Sequence, residues 1–254
     1  SPRPLAEGAG EWASGTVQTP GRKLAHDLPE VDDFAENGHL SVSGEVPMSP
    51  QSALLIVDVQ NGFMPGGGLP VAGGDLVVPV INRIAPLFEN VVLTQDWHPA
   101  NHVSFAANHP GRQPYELIEL PYGMQVLWPT HCVQGTHDAA LHAGLQVTHA
   151  QLILRKGAHP QVDSYSAFLE GDRCTSTGLA AYLRARDIHT VYLCGLATDY
   201  CVAWSALDAR AAGFETWVIE DACRAIDLNG SLDKAWAEME AAGVQRTSSA
   251  RLTG

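Results

Sequence analysis

From about residue 53 onward, short apolar runs alternate with segments of helical period, and this alternation constrains the fold more than any other feature of the chain. The runs at 53–59, 91–94, 152–154, 190–193 and 216–219 lack a regular polar alternation, as strands buried on both faces do. Between and after them, residues 75–88, 176–186, 200–212 and 231–242 space their apolar side chains at helical intervals. Gly213 and Gly243 stand where two of these helices should stop, and a last strand is expected at 244–247. Strands joined through helices need crossover connections, which build a parallel sheet covered on both faces. The expected fold is therefore α/β, a Rossmann-like three-layer α/β/α sandwich with a mainly parallel sheet. No G-x-G-x-x-G follows the first strand, so no dinucleotide site is expected.

Residues 1–52 are rich in Gly, Pro, Ser and acidic residues and keep neither period; they read as an irregular N-terminal extension to a domain spanning 53–254. With 45% hydrophobic and only 17% charged residues, the chain has enough apolar material to bury a core. A net charge of -13 repels phosphate backbones, which excludes nucleic acid as an expected partner. Five cysteines scattered without a C-x-x-C pair suit neither a disulfide framework nor a cysteine zinc site, and they point to a reducing, cytoplasmic setting. No apolar run approaches the ~20 residues a membrane helix needs, so no membrane partner is expected.

In open α/β sheets, ligands bind beyond the carboxyl ends of the strands. Read in order, those ends hold Asp58, then Asp96 and His98, then Lys156, then Cys201. Any one cysteine is more often an inert small hydrophobe than a nucleophile. Cys201, however, is expected in the first turn of a helix, where unpaired N–H groups favour a thiolate. Lowering a thiol from about 8.5 by about two units corresponds to about 2.7 kcal/mol. Asp58 is placed to accept the thiol proton, and Lys156 to stabilise the charge the two share. Asp96 and His98 lie at i and i+2, on one side of an extended segment, and His131 can join them; an Asp with two His suits zinc, iron or manganese. Phe63 and Trp128, close in sequence to Asp58 and His131, are the candidates to clamp a flat ring. His102, His109 and His137 carry no signal that lifts them above ordinary histidines.

Five segments in order, Val57-Asp58-Val59-Gln60-Asn61-Gly62-Phe63, Gln95-Asp96-Trp97-His98-Pro99, Trp128-Pro129-Thr130-His131-Cys132, Lys156-Gly157 and Gly195-Leu196-Ala197-Thr198-Asp199-Tyr200-Cys201-Val202, closely resemble the nicotinamidase/pyrazinamidase family of isochorismatase-like hydrolases. The resemblance runs from about residue 53 to the C-terminus. It implies a catalytic triad of Asp58, Lys156 and Cys201, and one divalent metal ion, zinc first, held by Asp96, His98 and His131. It further implies a cis peptide at Leu196–Ala197, with the N–H groups of Ala197 and Cys201 forming an oxyanion hole. The implied activity is hydrolysis of nicotinamide, and of pyrazinamide, through a thioester in pyridine nucleotide salvage; the sequence leaves a homo-oligomer open. Two other readings stand beside it: a cysteine amidohydrolase acting on a carbamoyl, ureido or maleamate-like amide, and a non-catalytic metal-binding interaction module. Two features depart from the family pattern. The first 50 residues lack a counterpart in its compact members, and Ser104 stands where some relatives place a further metal-ligand histidine, which suggests water or Ser104 near the remaining coordination positions.

Overall fold

A computed structural model of the chain describes residues 46–253. In chain order the elements are β1 (Val46–Pro47), β2 (Ser52–Val57), α1 (Val77–Ile84), β3 (Asn90–Asp96), β4 (Leu117–Leu120), β5 (Gly123–Val126) and β6 (Leu152–Lys156). They continue with α2 (Leu179–Ala185), β7 (Thr190–Leu196), α3 (Ala203–Ala211), β8 (Glu215–Arg224), α4 (Ser231–Ala241), β9 (Gln245–Thr247) and β10 (Leu252–Thr253). Most of the expected extension, residues 1–45, lies outside the described residues.

The expected apolar runs form one sheet in the order β6-β3-β2-β7-β8-β9, and every pair in it is parallel. Burial follows position. β2 is buried at all six residues, whereas edge strand β6 alternates and leaves Ile153 52% exposed. From β2 the chain moves outward to β3 and β6, then returns to place β7 beside β2 and proceeds to β8 and β9. Right-handed crossovers in these opposite directions put α1 on one face of the sheet and α2, α3 and α4 on the other, giving the three layers. Strand order reverses between β2 and β7, and a ligand site is expected at the carboxyl ends of that pair.

The helices are shorter than their periods predict, for identifiable reasons. α1 stops at Ile84 and becomes a 3₁₀ turn, Ala85–Leu87, at Pro86, which has no N–H to continue the helix. α2 begins only after Gly178, which is left-handed. The segment 200–212 is not one regular helix: a wide π turn, Thr198–Val202, precedes α3 and carries Cys201. Two small pairings gave no sequence signal. β4 and β5 form an antiparallel hairpin with little burial, and β1 pairs in parallel with β10.

Candidate active site

The reversal in strand order brings three elements to one point. Asp58 follows β2 directly, and the Thr94 hydroxyl on neighbouring β3 donates to its Oδ1 at 2.6 Å and accepts its backbone N–H at 3.1 Å. Lys156 ends β6 in register with Asp96 at the end of β3, and its side chain is fully buried. Its Nζ lies 2.8 Å from Asp58 Oδ2 and 3.3 Å from Cys201 Sγ; it donates to the Ser164 carbonyl at 3.0 Å and also contacts Asp96 Oδ1. Cys201 reaches this point because β7 runs very close to β2 at Gly195. A Cβ there would sit 2.1 Å from the Val57 carbonyl oxygen, and φ is +114°. The Leu196–Ala197 peptide is cis, as the resemblance implied.

Burial and charge act against each other in this cluster. Burial lifts the Asp58 carboxyl above its ordinary range, against the pull of the Lys156 ammonium. Burial would depress Lys156, but Asp58, Asp96 and Cys201 around it hold its pKa well above the usual value. Cys201 departs from expectation. Burial pushes its thiol well up and the two carboxylates add to this, with Lys156 opposing. The helix-start argument for a lowered thiol pKa omitted these carboxylates, which β2 and β3 bring to the sulfur. Burial thus acts in the same direction on both partners, raising thiol and carboxyl alike.

Asp96, His98 and His131 are all buried and present ligand atoms within 4.8 Å of one another. Asp96 Oδ2 is 3.5 Å from His98 Nε2 and 3.8 Å from His131 Nε2. The opposite ring nitrogens are anchored on carbonyls, His98 Nδ1 on Gly157 at 2.9 Å and His131 Nδ1 on Pro129 at 2.8 Å, so both Nε2 atoms face Asp96. Backbone anchoring of this kind is what metal-ligating histidines show. The Gln60 side chain holds Asp96 in place by donating to its carbonyl at 2.9 Å and accepting its N–H at 2.8 Å. Burial and neighbouring His98 lower His131 to about 4, leaving a neutral imidazole. Burial opposes a proton on His98 but Asp96 favours one, so a cation here competes with that proton. The donor set fits one divalent ion.

Thiol and ligand trio line one pocket. Phe63 and Trp128 line it, together with Leu69, Asp163, Tyr165, Tyr200 and Ile226, which sequence reasoning missed. Trp128 is fixed by its Nε1 donating to the Tyr165 hydroxyl at 2.9 Å and by the Tyr200 ring set edge-on at 4.9 Å. Tyr165 and Ile226 sit in irregular segments without a period, so only Tyr200, adjacent to Cys201, carried a usable signal. His102 is less ordinary than it looked. Its ring lies 4.2 Å from His98, and its Nδ1 is 2.7 Å from the buried Ser104 hydroxyl. The Ser104 Oγ is thus engaged with His102. His109 instead bonds the Val103 carbonyl, and His137 meets Asn61 at the surface.

The profile of the isochorismatase domain matches residues 52–251. The chain belongs to the isochorismatase family. Among isochorismatase-family relatives, the nicotinamidase of Acinetobacter baylyi is 64% identical over 197 residues, covering 78% of this chain and 92% of its own. A solved nicotinamidase/pyrazinamidase of Acinetobacter baumanii superposes with a TM-score of 0.79 at 63% identity, over 80% of this chain and 98% of its own. The pyrazinamidase of Pyrococcus horikoshii in complex with zinc superposes with a TM-score of 0.64 at 36% identity, over 78% and 99%. The resemblance read from five short segments thus extends over the whole isochorismatase domain.

Proposed function

We propose that this chain is an amide hydrolase that converts nicotinamide to nicotinate and ammonia, and accepts pyrazinamide, with Cys201 as nucleophile. One observation carries this reading: a single buried ammonium, Lys156 Nζ, touches Asp58 and Cys201 on one side and Asp96 of the ligand trio on the other, beside an aromatic-walled pocket. The nicotinamidases among its relatives support the substrate. The zinc complex supports zinc as first choice for the ion, with iron and manganese next.

Asp96, His98 and His131 would hold the ion, which when bound supplies a Lewis-acidic anchor for a ring nitrogen. Phe63 and Trp128 bracket the ring and direct its carboxamide toward Cys201. Asp58 removes the thiol proton as Sγ bonds to the carboxamide carbon, and the developing oxyanion faces the N–H groups of Ala197 and Cys201. Asp58 then gives its proton to the departing nitrogen; the C–N bond breaks, ammonia leaves and a thioester remains. Asp58, ionised again, takes a proton from water, whose oxygen attacks the thioester. The C–S bond breaks, the acid is released, and Asp58 returns the proton to Sγ, which restores the thiol and the carboxylate. Lys156 keeps Asp58 and the sulfur in place throughout.

Ammonia release from nicotinamide by the purified protein tests the reading. Turnover is expected, with loss on chelation and recovery on adding zinc. Cys201→Ala should lower kcat by about 10⁴-fold or more while nicotinamide still binds. Turnover by that variant close to the parent's would remove Cys201 as nucleophile, and a parent without activity on nicotinamide would remove the substrate.

A further inference from the structure

Asp199 belongs to the segment that carries the nucleophile, yet the chemistry above leaves it without a task. It lies two residues before Cys201 in the turn Thr198–Val202 and is only 6% exposed. Ala197, Tyr200 and Cys201 of that segment line the pocket, whereas the Asp199 carboxylate bonds to the loop that follows β8. Its Oδ1 accepts the Ile226 N–H at 3.0 Å; its Oδ2 accepts the Asp227 N–H at 2.8 Å and the Ser231 hydroxyl at 2.5 Å.

The loop needs such a clamp. Asp227 and Asn229 both have φ of +54°, a left-handed conformation that non-glycine residues adopt at a cost. The residue at its near end, Ile226, lines the same pocket as Cys201. One carboxylate therefore joins the turn that bears the sulfur to the segment that bears an apolar wall. We propose that Asp199 is a positioning residue that sets the Ile226 wall relative to Cys201 and so determines how tightly the aromatic ring is held. The inference rests on the proposed nicotinamide hydrolysis and concerns recognition within it, not bond-making.

Steady-state kinetics of Asp199→Asn, Ile226→Ala and the double variant, with nicotinamide, test it. Asn keeps one carbonyl acceptor but turns an amide N–H₂ toward the other donors. KM is expected to rise about tenfold in D199N, with kcat and the rate of Cys201 alkylation little changed. Because Asp199 acts through Ile226, D199N should add almost nothing to KM in the I226A background. Ser231→Ala, which deletes one of the three bonds, should show a smaller rise of the same kind, and it carries the test should D199N fail to fold. An unchanged KM, a loss confined to kcat, or full additivity with I226A overturns the inference while the parent remains active on nicotinamide. A parent inactive on nicotinamide overturns instead the reading on which it rests.

Discussion

Lys156 occupies a position that an ammonium tolerates only when it is fully partnered, since burying a lone ion costs several kcal/mol. Its contacts with Asp58, Asp96, Cys201 and the Ser164 carbonyl meet that requirement and leave the lysine charged across the working pH range. In the proposed reaction Asp58 must be ionised to take the thiol proton, and burial raises its pKa. The kcat/KM of nicotinamide hydrolysis should accordingly fall as the solution is acidified, through a pKa above that of an ordinary carboxylate. An acid limb at or below about 4 would contradict the raised value. The residues themselves were legible because each sits at the end of an apolar run. Their electrostatics were not legible. The start of a helix is a local feature of Cys201, whereas the two carboxylates that push its thiol up arrive from strands more than a hundred residues earlier.

Strands were the most readable elements, since continuous apolar runs such as Leu54, Leu55 and Ile56 survive only in the middle of a covered sheet. Close approach between strands left a fainter mark. Gly195 is needed both for its positive φ and because any Cβ would meet the Val57 backbone. Gly195→Ala should destabilise the fold by about 3 kcal/mol, through strain and forced separation of β2 and β7. The midpoint of denaturant unfolding measures this, and an unchanged midpoint would show that the two strands part without cost. Helix ends were read less well, because Pro86 and Gly178 outweigh the apolar period around them. The hairpin of β4 and β5 escaped altogether: it exposes Leu117 and Met124 and buries the polar Gln125, so its sequence does not write core and solvent faces as apolar and polar.

At the scale of the whole molecule, the sheet and the family match both begin at Ser52. A chain starting at residue 46 keeps the pairing of β1 with β10 and should hydrolyse nicotinamide within about twofold of the full chain. One starting at residue 52 loses that pairing and the Met48 N–H bond to Thr253, and its melting temperature should be the lower of the two. Equal melting temperatures would show that the short parallel pair adds nothing. The reversal of strand order between β2 and β7 has a wider consequence. Asp58, Asp96, Lys156 and Cys201 are fixed at or just beyond strand ends, while Phe63, Leu69, Trp128, Tyr165 and Ile226 hang from the connections above them. Frame and rim can therefore diverge separately: a descendant could exchange its rim to admit a different amide and inherit the acid–base array untouched, whereas a change in the frame would disable every substrate at once.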